Sequence, residues 1–208
     1  MAKSRARRPT KVMTERAFAP YALAIGHLAR SWNQLHENLC LIFCRVATRT
    51  NTNIGHAIWY DLKSDRVQRG VLKAACGAPG AIDTKNWPTA LEDIDWLLEK
   101  TRGVADQRNA ALHAPFMVGM ETTTREMIIM SDFFPHNPFS KQLRGKDILS
   151  EISYYRVKCD ILKEYAVSIW MALGHSERAW PSRPSWPNRE QAKAQQKRGN
   201  RRSAKDPA

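Results

Sequence analysis

One apolar pattern constrains this chain more than any other feature. Phe18, Tyr21, Ile25, Leu28, Trp32, Leu35, Leu39, Ile42 and Val46 follow one another at alternating spacings of three and four. That period puts all of them on one face of a helix of about four heptads, which needs partner helices to cover it. A second seam runs through Ile148, Ile152, Tyr155, Cys159, Leu162, Ala166, Ile169 and Leu173, with Asp147 suited to its N-cap and Gly174 to its C′ position. Pro20 is expected in or just before the first turn of the first helix, where its missing N–H does no harm.

Two shorter helices fit between the seams. Ser64 caps a helix from about Asp65 to Cys76 that stops at Gly77, and Pro88 opens one that ends near His113, because Ala114 precedes Pro115. The fold class expected is all-α, an antiparallel helical bundle of about four helices over residues 15–175. A small β-hairpin is expected as an insertion, pairing Phe116–Met120 with Glu126–Met130 across a Thr-rich turn; an apolar loop is the competing reading. Pro135-His136-Asn137-Pro138 then breaks regular structure.

The formal net charge of +13 is unevenly placed. Residues 1–14 hold five cations and no acid, and residues 176–208 carry a net +6, which leaves +2 for the body of the chain. Both ends read as disordered basic tails, since their polar, Pro-containing composition cannot build a core. Arg5, Arg7 and Arg8 at one end, and Lys197, Arg198, Arg201 and Arg202 at the other, suit a phosphate backbone through counterion release. Solubility or non-specific adhesion is the alternative use of such tails.

No stretch reaches the ~18 apolar residues that cross a bilayer, and the basic N-terminus runs into Thr10-Lys11-Val12-Met13-Thr14-Glu15, unlike a signal peptide. A soluble, cytoplasmic protein without a membrane partner is expected. Cys40, Cys44, Cys76 and Cys159 are too scattered for a disulfide scaffold and form no CxxC pair, so reduced, buried thiols are expected. His36, Cys40 and Cys44 make an i, i+4, i+8 stripe that suits a soft metal if a fourth ligand comes from elsewhere; thiols filling space beside the seam are the reading carried forward, with no metal and no cofactor.

Chemistry concentrates in Arg108-Asn109-Ala110-Ala111-Leu112-His113. Arg108 falls four residues after Val104 and four before Leu112, on or beside the apolar face, where a permanent charge needs a partner, a route to solvent or a job. Asn109 and His113 share a face at i, i+4, and the surrounding alanines leave room for a partner helix or a phosphate. Arg108 offers a bidentate fork for phosphate oxygens, and His113 in a last helical turn is suited to proton transfer near neutrality. The alternative is a helix end tied to a neighbouring carboxylate such as Glu37 or Asp106.

An Arg, a polar residue and a His at this spacing near a helix end resembles the Rx4-6H motif of the HEPN superfamily, many of whose members are metal-independent endoribonucleases. Arg30 to His36 and Arg49 to His56 also fit the loose spacing, but only Arg108 is followed by the polar residue the family favours. The resemblance implies a homodimer whose two Arg/His pairs line one cleft, with RNA cut by its own 2′-hydroxyl to a 2′,3′-cyclic phosphate. It implies Arg108 and His113 as catalytic residues, Asn109 as the intervening polar residue, a role as toxin or defence effector, and room for an inhibitory protein partner. A non-catalytic helical module that engages nucleic acid or protein through basic tails is the alternative.

Of the seven tryptophans, Trp32 belongs to the seam and Trp87 and Trp96 read as packing residues; Trp180 and Trp186, spaced by prolines in the basic tail, are the ones suited to a partner surface, with a loosely docked tail as the equal alternative.

Overall fold

A computed structural model describes residues 10–48, 51–120, 126–131, 134 and 136–190. Among them are six α-helices: α1 (Lys11–Phe43), α2 (Thr52–Asp61), α3 (Asp65–Gly77), α4 (Ala90–His113), α5 (Pro138–Leu143) and α6 (Ile148–Gly174). Strands β1 (Met117–Met120) and β2 (Met127–Met130) pair antiparallel, with Val118 opposite Ile129 and Gly119 opposite Ile128. No helix of the described residues is long and apolar enough to cross a membrane.

The two seams meet. Leu28, Trp32, Leu35, Leu39 and Ile42 of α1 share one buried core with Ile152, Tyr155, Cys159, Leu162, Ala166 and Ile169 of α6, and α4 adds Ile94, Leu97 and Val104. Each fully buried large side chain contributes about 1.5–3 kcal/mol, so these three helices, rather than the half-buried hairpin, hold the fold. Ser64 and Asp147 cap α3 and α6 through their side-chain oxygens, as their positions in the sequence imply.

Several boundaries differ from the sequence reading. Thr10 Oγ1 accepts from the Met13 N–H at 3.3 Å, so α1 starts at Lys11, and residues 11–14 are helix rather than tail. Pro20 therefore sits inside α1; it and Arg16 are exposed, and water can serve the Arg16 carbonyl that Pro20 cannot. A π-helical turn, Cys44–Thr48, follows α1 and feeds α2, a helix in a stretch whose sequence reads as merely polar. The Asn137 side chain caps α5 at the point expected to break regular structure. Extended His175, not Gly174, closes α6.

The largest correction concerns the C-terminal segment. Residues 176–190 were expected to be disordered, yet they form a strap packed along α4 and α6. Trp180 lies against Trp87 with ring centroids 5.5 Å apart, and the Trp87 indole donates to the Arg178 carbonyl at 3.2 Å. Trp186 meets Trp96 edge-on at 5.9 Å, and the ammonium groups of Lys100 and Lys158 lie over its ring at 5.2 and 5.6 Å. Tyr154 donates to the Pro187 carbonyl at 2.9 Å, and Arg189 pairs with buried Glu151 at 3.0 Å. Polar composition failed as a guide because two indoles and a few well-placed ion pairs suffice to dock a chain that has no seam of its own.

Candidate functional site

The last two turns of α4 carry Arg108 and Asn109 against α1 and α3. Val104 and Ala111, on the same helix, are buried in the core, which fixes the rotation of α4 and leaves Arg108 half-buried at its edge. The guanidinium lies over the Trp32 ring, 5.4 Å from its centroid, and donates through Nη1 to Asn109 Oδ1 at 2.8 Å. Among the described residues no carboxylate forms an ion pair with Arg108, and its buried Nε has no hydrogen-bond partner. Glu37, one of the two carboxylates that would have explained the arginine structurally, instead accepts from the Tyr60 hydroxyl at 2.5 Å.

Arg108 and Asn109 line a solvent-open cavity of about 430 Å³ together with Trp32, Asn33, His36, Ser64, Asp65 and Gln68. Gln68 Nε2 donates to the Trp59 carbonyl at 3.1 Å, which leaves Gln68 Oε1 as the acceptor toward His36 Nδ1 at 3.2 Å. The proton is therefore assigned to Nδ1, and the buried His36 Nε2 is a lone-pair acceptor without a partner. Burial is the main force lowering the His36 pKa to about 4; Asp65 opposes it, while the Arg69 and Arg108 guanidinium groups push the same way. At neutral pH this cavity presents the Arg108 guanidinium, the Asn109 amide and the Asp65 carboxylate beside a neutral imidazole whose Nε2 is buried, and the guanidinium is the group suited to a phosphate oxygen.

His113 stands apart from this group. It is exposed at the end of α4, its ring 5.5 Å from that of Phe139 on α5, and it is not among the residues lining the cavity. The sequence trio is thus divided: Arg108 and Asn109 are together, and His113 occupies the helix end. Gln68 lines the cavity without any motif to mark it, and His36, which the sequence offers only as a candidate metal ligand or as the end of a loose Arg-to-His spacing, lines it too. The available signal was that His36 follows Trp32 by one helical turn, which places it at the border of the buried seam.

The stripe of His36, Cys40 and Cys44 does not assemble as a ligand set either, since His36 turns to Gln68 and His56 from α2 approaches the two thiols instead. Arg5, Arg7, Arg8, Lys197, Arg198, Arg201 and Arg202 lie outside the described residues. The chain matches no protein-family model, no curated protein and no solved structure with which it was compared.

Proposed function

We propose that the protein is a HEPN-like, metal-independent endoribonuclease whose helices form an antiparallel bundle and which acts as a homodimer in the cytoplasm. The observation that carries this reading is Arg108: fixed over Trp32 and held by Asn109, without a carboxylate partner among the described residues, at the mouth of an open cavity. A buried or half-buried guanidinium that is oriented and left unneutralised is suited to an anion supplied from outside. Arg108 seats the scissile phosphate and stabilises the charge that grows on it. The ribose 2′-oxygen forms a bond to phosphorus as the bond to the 5′-oxygen breaks, and His113 serves the proton transfers from one and to the other. The basic ends of the chain hold RNA near the cleft, and exposed Ile54 and Ile58, four residues apart on α2, offer apolar surface to a second copy. A toxin or defence role held in check by an inhibitory protein belongs to the same reading by family analogy.

One observation favours a second reading, a helical RNA-binding module without cleavage: His113 does not line the cavity that holds Arg108. A labelled RNA with the wild-type protein in magnesium-free buffer separates the two. The nuclease reading expects products ending in a 2′,3′-cyclic phosphate, lowered about 10²–10³-fold by Arg108→Ala and about 10²–10⁴-fold by His113→Ala, with helicity unchanged. RNA bound but left intact by a dimeric wild type leaves the binding module, and cleavage that survives both substitutions removes Arg108 and His113 from the site.

A further inference from the structure

We propose that Cys40, Cys44 and His56 form a zinc site that staples α2 to the C-terminal end of α1. One ligand atom from each of the three residues lies within 4.8 Å of the others, and the two sulfurs are 4.0 Å apart. In a tetrahedral Zn²⁺ site, bonds of about 2.3 Å to sulfur and about 2.0 Å to nitrogen put neighbouring ligand atoms at roughly 3.5–3.8 Å, so closing this set onto an ion needs relative shifts of no more than about 1.3 Å.

The backbone is shaped for this meeting. Cys40 and Cys44 lie one helical turn apart, and at Cys44 the helix widens into the π-helical turn that redirects the chain into α2. Such π segments occur preferentially at functional sites. The approach of α2 depends on Gly55, the residue before His56: a Cβ there would lie 2.6 Å from Cys44 Sγ and 3.1 Å from Cys44 Cα. Both thiols are buried and His56 is half-buried, so an ion would be shielded on the core side and reachable from the α2 side.

Two thiolates and an imidazole are borderline-soft donors that select Zn²⁺ over Mg²⁺ or Ca²⁺. Coordination releases one proton from each thiol to solvent, and the third ligand is a neutral imidazole, so the ion's two charges are balanced by the two sulfurs. The fourth position falls to water, since Glu37, one turn before Cys40, already accepts from the Tyr60 hydroxyl. This site is independent of the Arg108 cavity, with which it shares no residue.

Cobalt(II) is the probe. Protein stripped with chelator and kept reduced should take up one Co²⁺ per chain, with near-ultraviolet sulfur-to-cobalt charge-transfer absorption and tetrahedral bands in the visible that Zn²⁺ then bleaches. His56→Gln, at a half-buried position that should fold, keeps the charge-transfer absorption but weakens Co²⁺ binding by more than about tenfold. The Cys40→Ala/Cys44→Ala variant loses the charge-transfer absorption, and Zn²⁺ raises the melting temperature of the wild type but not of this double variant. Absence of those bands in the wild type, their persistence in the double variant, or unchanged Co²⁺ affinity in His56→Gln would each overturn the proposal.

Discussion

Trp180 donates its indole N–H to Asp93 Oδ2 at 2.9 Å, joining residues 87 apart in the chain. Asp93 is buried in the first turn of α4, where it also accepts from the Thr89 hydroxyl at 2.8 Å and from Arg183 Nε. One carboxylate near a helix N-terminus thus anchors the strap. Trp180→Ala removes the ring from Trp87 and one donor from Asp93, and is expected to destabilise the protein by about 2–4 kcal/mol. Urea denaturation followed by far-ultraviolet circular dichroism measures this; a change below about 0.5 kcal/mol, typical of a surface substitution, would mean that the strap contributes nothing.

Gly55 and Gly26 form a natural pair for testing how closely α2 approaches α1. An alanine methyl at Gly55 meets Cys44 Sγ at 2.6 Å, whereas at Gly26 it meets nothing within 4 Å. Gly55→Ala is expected to destabilise by about 1–3 kcal/mol through overpacking. Gly26→Ala, inside α1, is expected to stabilise by about 0.5–1 kcal/mol through helix propensity. Thermal melts of the two variants should move in opposite directions.

His36 predicts an acid-sensitive stability. Its pKa is lowered from 6.5 to about 4, with burial as the first cause, so the unfolded chain binds the proton more readily than the folded one. Stability from this group is complete above pH 6.5 and falls as the pH drops toward 4, by about 3 kcal/mol in all. His36→Gln should flatten the pH dependence of unfolding between about pH 4 and 6.5; a slope identical to that of the wild type would show that His36 titrates normally.

Arg108→Lys separates charge from shape. Lysine keeps the positive charge but lacks the planar fork that Asn109 and Trp32 hold in place. Affinity for a short RNA should fall by about tenfold or more, and added salt should weaken wild type and variant with nearly the same slope, since one cation replaces another. Full affinity in the lysine variant would mean that the site needs only a point charge.

The strongest periodicities were legible because they belong to helices that bury one continuous face: α1, α6 and the later part of α4 appear where their seams place them. Ser64 and Asp147 were legible for a local reason, a side-chain oxygen within reach of an N–H three residues on. α2 was not, since it buries only Gly55 and Trp59 and therefore shows no seam. The strap was hidden because its docking rests on Trp180, Trp186, Arg183 and Arg189, whose partners lie in helices far away in sequence. Within the site, the Arg108 and Asn109 pairing follows from adjacency, whereas the meeting of His36 with Gln68 is a product of α1 and α3 packing and has no sequence spacing to betray it.

The strap also reverses the direction of the chain. Residues just beyond α6 touch Trp87 and Asp93 at the start of α4, and by Arg189 the chain has returned to Glu151, in the first turn of α6. That end of the molecule holds α5, whose Phe139 meets His113. The last described residues of the chain therefore lie beside the start of α6 rather than beyond its end, so the strap doubles back along the helix it follows and links the first turns of α4 and α6.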